Sequence, residues 1–216
     1  MLSTRPFFRS FFLRALAVAA LFLAAPLAAV SPARAATPAE SFVQDNITKG
    51  LAILNDKQLS HDQRREQFEK FLFGLTDMKS LAMSSLSQYR RGASQADLDA
   101  FALAFQNYCS ALFQSYFDSY TSQKLTVVSS QEFAPDDIRV TARMTDPSGK
   151  PPVDIVFYLS NSNGKMVVTD ASASGARLLL TKKAEFASVL GNNDGKIPVL
   201  IQQLDKITTN IKSGLR

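Results

Sequence analysis

Apolar residues beyond position 36 recur first with the period of a helix and later with that of a strand. Thr37 followed by Pro38 opens a helix in which Phe42, Val43, Ile47, Leu51 and Leu54 fall on one stripe. Ser60 and Gln63 form a capping box for a second helix with the apolar face Phe68, Phe71, Leu72 and Leu75. Asp77 caps a third, carrying Leu81, Leu86 and Tyr89, and Gly92 ends it. Ser94 and Asp97 open the longest helix, which runs to about Tyr120. It is aromatic along one stripe, with Phe101, Phe105, Tyr108, Phe113, Tyr116, Phe117 and Tyr120, filled in by Leu98, Cys109 and Leu112.

After Gln123 the period drops to two. Residues 124–130 read as a strand. In residues 137–145, Ile138, Val140, Ala142 and Met144 alternate with Arg139, Thr141, Arg143 and Thr145, the pattern of an antiparallel strand with one wet face. Asp146-Pro147-Ser148-Gly149 is a turn, and Val153, Ile155, Phe157 and Leu159 are the inward side of the next strand. A hairpin loop at residues 161–164 leads to a strand over residues 165–174. Strict alternation puts Met166, Val168 and Asp170 on one side of it. Gly175 is a bend, residues 181–190 a helix, and a last helix starts at Ile197 with Leu200, Ile201, Leu204, Ile207 and Ile211. The fold class is α+β: helices packed on one face of a curved antiparallel sheet of about four to five strands, with an apolar cavity between them.

The first 35 residues are an address. Arg5, Arg9 and Arg14 precede an apolar run over residues 15–30, and Ala33-Arg34-Ala35 supplies a peptidase site. Pro26 interrupts the run, which is shorter than the ~20 residues needed to span a bilayer. Residues 1–35 are therefore read as a cleavable signal peptide and residues 36–216 as a single domain exported to the periplasm. The leader carries four of the 24 basic residues and none of the 19 acidic ones, so net charge falls from +5 to +1 on cleavage (20 minus 19). That balance gives no reason to expect nucleic-acid binding.

The inventory of reactive groups is thin. The one histidine, His61, excludes a histidine metal cluster and argues against a Ser-His-Asp triad. The one cysteine, Cys109, cannot form an internal disulfide and reads as a small hydrophobe on a helix. Asp136-Asp137 and Asn192-Asn193-Asp194-Gly195 read as turns rather than calcium loops. No catalytic residue, metal site or cofactor is expected. Asp170 stands out mid-strand, where a carboxylate needs a partner such as Arg177 or a place at a cavity mouth.

Three segments resemble the MlaC family, also called the toluene-tolerance auxiliary family. Residues 71–82, Phe71-Leu72-Phe73-Gly74 through Asp77 to Ala82, are similar to its helix end, Asp and following short helix. Tyr89-Arg90, Ser94 to Asp97 and Phe101, with Phe105, Leu112 and Tyr116 following, are similar to its Tyr/Trp-Arg, "Ser/Thr-x-x-Gln" and Phe pattern. Val167-Val168-Thr169-Asp170, then Gly175, Leu178 and Glu185-Phe186, resemble its "Trp-Lys-Val-x-Asp-Val, Gly-x-Ser-Leu, Arg-x-x-Phe" signature. The likeness covers about residues 38–207. The family tryptophans are replaced at Arg90 and at Lys165-Met166, the Gly-Val-Ser-Leu stretch reads Gly175-Ala176-Arg177-Leu178, and Lys182 or Lys183 stands for the late Arg. These departures fit a divergent branch such as the hopanoid-associated relatives called HpnM.

The resemblance implies a non-enzymatic, monomeric periplasmic shuttle that carries phospholipid, or a related lipid such as a hopanoid, between membranes. Its implied partners are an inner-membrane ABC transporter with an MCE-type component and an outer-membrane lipoprotein/porin complex. The physics suits a carrier, because two acyl chains at about 0.8 kcal/mol per methylene make free desorption cost on the order of 20 kcal/mol. Facing directions, rather than the family pattern, put Phe101, Phe105, Leu112, Val140, Ala142, Ile155 and Phe157 around the tails, between the aromatic helix and the sheet. Two other classes stay open: an enzyme using Asp170 or Tyr158 as acid or base in an apolar pocket, and an interaction or assembly protein with a filled core. Cavity shape separates the three.

Overall fold

The computed structural model describes residues 35–117, 122–134, 136–162 and 164–214; residues 1–34 of the leader and Tyr120 lie outside the described residues. Helix α1 (Pro38–Leu54) starts where Thr37 Oγ1 accepts from Glu40 N (3.1 Å) while Thr37 N donates to Glu40 Oε2 (2.8 Å). The same cap reaches the sheet: Ser130 Oγ lies 3.0 Å from Thr37 Oγ1 and donates to Glu40 Oε1 at 2.8 Å. Helix α2 (His61–Gly74) opens on the expected Ser60–Gln63 box, and α3 (Met78–Leu86) on Asp77, whose Oδ1 accepts from Ser80 N. A 3-10 turn (Ser87–Arg90) and Gly92, at φ +82°, lead to α4 (Gln95–Phe117).

Strands β1 (Lys124–Ala134), β2 (Asp137–Thr145), β3 (Val153–Ser162), β4 (Lys165–Ala173) and β5 (Ala176–Arg177) form an antiparallel meander in sequence order. Helices α5 (Leu178–Gly191) and α6 (Ile197–Lys212) complete the chain. Ile138, Val140, Ala142 and Met144 lie opposite Leu159, Phe157, Ile155 and Val153, so the alternation read from the sequence defines one face of the sheet. Residues 36–216 form one compact unit.

Among the described residues, two apolar cores hold this unit together. Ala39 and Val43 of α1 pack on Ile138, Val140 and Leu159 of the sheet. The other core is all helical: Ala82, Leu86, Phe101, Phe105, Tyr108, Phe186, Leu190, Leu200 and Leu204, from α3, α4, α5 and α6. Phe186 meets Phe101 and Phe105 edge-on, at ring-centre distances of 5.9 and 6.3 Å. This corrects the expectation that the aromatic helix lies over the sheet. A helical stripe shows which side of α4 is buried but not its partner, and α5 and α6 supply stripes that fit it.

A second correction concerns β4. Its register with β3 slips at one residue: Tyr158 lies opposite Asp170 but Leu159 opposite Val168, which leaves Thr169 as a bulge. Met166 and Val168 therefore share the face of Leu159, while Asp170 turns to the opposite face. There its Oδ2 accepts from Arg177 Nε (2.9 Å), and its Oδ1 from Ala171 N (2.8 Å) and Leu179 N (2.9 Å). The carboxylate thus caps the first turn of α5 from a strand, and α5 begins three residues before the expected 181.

Candidate functional site: an apolar trough under α1 and α2

Both ends of the α1–α2 hairpin are tied to the sheet. On one side are the Thr37–Glu40–Ser130 contacts and a bond from Val127 N to Gln44 Oε1 at 3.4 Å. On the other, Val168 N donates to Leu75 O (2.8 Å) and Thr76 Oγ1 donates to Val168 O (2.7 Å), which also satisfies backbone groups of β4. Arg64 closes the turn between the helices by donating to Asp56 O and Leu59 O. The hairpin is therefore a roof strapped across the inner face of the sheet.

Beneath it lies a cavity of about 470 Å³. Its roof is Phe42, Val43, Ile47, Leu51 and Leu54 of α1 with Phe68, Phe71, Leu72 and Leu75 of α2. Its floor is one residue from each long strand: Leu125, Met144, Phe157 and Val168. Asn46 and Gln123 are the polar side chains in the wall; Asn46 Nδ2 donates to Phe42 O and Gln123 Nε2 to Asp146 Oδ2. Among the described residues no titratable side chain lines it. A Cβ on Gly50 would come within 3.0 Å of the Phe68 ring and 3.1 Å of the Phe71 ring, so this glycine lets α2 close down on α1. Phe68 also stacks with Phe113 and Phe117 from the end of α4, at 5.3 and 6.3 Å, which joins the roof to the helical half.

Of the seven residues expected around the tails, Phe157 borders the cavity. Phe101 and Phe105 sit in the helical core and Leu112 packs against it. Val140 and Ala142 are fully buried on the floor side of β2, and Ile155 is half-buried on β3. The other wall residues, from α1 and α2, were legible as apolar stripes, and the glycine within the α1 stripe was the local sign of a close approach.

The groups weighed for acid–base chemistry lie elsewhere. Tyr158 is on the outer face of the sheet, beneath the Arg177 guanidinium (4.0 Å) and near that of Arg139 (5.4 Å). Asp170 is buried and held by Arg177 and two backbone amides, the ion pair the sequence suggested. Burial pushes the Cys109 thiol up to about 12, which keeps it protonated at neutral pH. Among the described residues no group of His, Cys, Asp or Glu is placed to hold a metal ion, and no helix is long and apolar enough to cross a membrane. A groove of about 560 Å³ between α2 and α4 is lined by Asp62, Arg65, Glu66, Glu69 and Lys70. Arg65 pairs with Asp62 (3.2 Å) and Glu69 accepts from Gln114 (3.1 Å), in the manner of a solvated surface.

The fold is shared with a phospholipid-binding protein from Ralstonia solanacearum, solved in complex with a phospholipid. The two superpose with a TM-score of 0.71 at 20% sequence identity, over 82% of this chain and 99% of the other. The family model of the MlaC protein matches residues 44–206, a span that runs from the first helix through the sheet to the last helix, and the chain therefore belongs to the MlaC protein family.

Proposed function

We propose that the protein is a periplasmic lipid carrier that shelters the hydrocarbon of a phospholipid, or of a related lipid, in the trough between the α1–α2 roof and the sheet. The cavity carries this reading. A trough walled almost wholly by aliphatic and aromatic side chains fits a ligand as apolar as its walls. Membership of the MlaC family and the ligand of the Ralstonia protein both support a lipid. Among the described residues the wall has no acid, base or metal-binding group, which favours holding the ligand over transforming it. A filled core, which an assembly protein would need, is missing at this place.

The transport reading goes further. The carrier would collect lipid from one membrane and release it at another, with an ABC transporter and its MCE-type component on one side and an outer-membrane lipoprotein/porin complex on the other. Removal of residues 1–35 would accompany export, a cut that leaves the Thr37 cap of α1 intact. The test is mass spectrometry of the protein purified from cells without detergent. Recovery of bound lipid in near-stoichiometric amount is expected, and lipid-free protein would defeat the proposal. Ile47→Trp places an indole in the trough and is expected to abolish recovery while the circular dichroism spectrum stays unchanged.

A further inference from the structure

The two helices of the roof touch at a glycine. Gly50 is buried within α1 and lines the trough together with the Phe68 and Phe71 rings of α2. Both rings reach its backbone: a Cβ on Gly50 would lie 3.0 Å from Phe68 Cε2 and 3.1 Å from Phe71 Cε1. Carbon atoms in ordinary contact are about 3.5–4.0 Å apart, so one added methyl group must displace a ring by roughly half an ångström. Inside a helix glycine is less favourable than alanine, and local helix stability gives no reason for it here. The reason lies across the contact with α2.

The two rings differ in how they can respond. Phe68 is hemmed in, with the ring centres of Phe113, Phe71 and Phe117 at 5.3, 6.0 and 6.3 Å. Among the described residues Phe71 has no ring neighbour but Phe68, and it borders the open space of the trough. The helices themselves are held. One turn beyond Phe71, Leu75 O accepts from Val168 N and Thr76 Oγ1 donates to Val168 O. Within two turns of Gly50, Gln44 Oε1 accepts from Val127 N. Spreading α1 from α2 strains these bonds, whereas a shift of the Phe71 ring toward the lumen breaks none of them.

We infer, resting on the lipid-carrier reading, that Gly50 is a positioning residue for ligand selection: by seating Phe68 and Phe71 against the α1 backbone it sets the width of the trough, and with it the cross-section of hydrocarbon the protein accepts. With a side chain at this position the Phe71 ring enters the lumen, and the broadest ligand is lost first.

Delipidated mature wild-type protein, Gly50→Ala, Phe71→Leu and the double variant are each mixed in detergent with equimolar dipalmitoylphosphatidylglycerol and palmitoyl-lysophosphatidylglycerol, which share a head group and a chain. The detergent is removed and the adducts are counted by native mass spectrometry. Gly50→Ala is expected to lower the diacyl-to-monoacyl ratio about tenfold, the factor that mild overpacking corresponds to. Its lipid-free Tm should stay at or above the wild-type value, because alanine favours the helix and the ring has space to move into. Phe71→Leu alone should keep the wild-type ratio, and added to Gly50→Ala it should restore that ratio, since the shorter side chain removes the collision. An unchanged ratio in Gly50→Ala, a fall that Phe71→Leu fails to reverse, or a lowered Tm each overturns the role of Gly50 and leaves the lipid-carrier reading standing. Failure of the wild-type protein to retain either lipid overturns both.

Discussion

At the scale of single residues, polar groups carry junctions rather than chemistry. The Asp170 carboxylate is almost fully buried and links β4, Arg177 and the start of α5. Asp170→Ala strands two backbone donors and an arginine, and should cost about 3 kcal/mol. In a domain of this size that lowers Tm by roughly 6–12 °C, readable by calorimetry; a shift within 1 or 2 °C would mean water replaces the carboxylate without loss. Asp146 offers a pH test. Ser148, through its hydroxyl and its amide, and the Gln123 amide hold the Asp146 carboxyl down at about 2. The fold thus prefers the ionised form over a free carboxyl titrating near 4. Its stabilisation is present above pH 4 and is lost as pH falls through about 2. The stability gap between wild type and Asp146→Asn, from urea titrations, should be constant near neutrality and close over that interval. Cys109 supplies a third check. With its thiol near 12, iodoacetamide should label native protein on the order of a thousandfold more slowly than the chain in urea. Labelling at the unfolded rate would show that the thiol is open to solvent.

At the scale of elements, the starts of α1, α2, α3 and α4 were written locally. Each opens on a short-side-chain cap three residues before the amide it satisfies, as with Ser94 and Asp97 N at 3.1 Å. The start of α5 was not, because its cap comes from Asp170 on a strand, beyond any local window. The face of Asp170 was lost for a related reason: a one-residue bulge reverses alternation, and nothing in Val168-Thr169-Asp170 announces it. The α4 stripe was legible as buried, yet its partner was not. This distinction predicts a separation of effects. Phe101→Ala removes a fully buried ring from the helical core and should cost about 3–5 kcal/mol in urea unfolding, while the lipid content of the folded fraction stays at the wild-type level. Loss of lipid at unchanged stability would instead place Phe101 at the ligand.

At the scale of the whole molecule, two cores divide the labour. The α3–α6 core is packed with leucine and phenylalanine. The sheet with its α1–α2 roof is left incompletely filled. Sequence alone determined what local rules determine: the helix and strand periods, the order from helices to sheet to helices, the inward faces of β2 and β3, and the resemblance that the family match bears out. Tertiary structure decided which apolar stripe met which. Apolar side chains are interchangeable as partners, since burial is non-directional and an area-based energy does not name its neighbour. Long-range straps from Thr37 and Glu40 to Ser130, from Val127 to Gln44, and from Leu75 and Thr76 to Val168, together with the packing of Ala39 and Val43 on β2 and β3, hold α1 and α2, rather than α4, over the sheet.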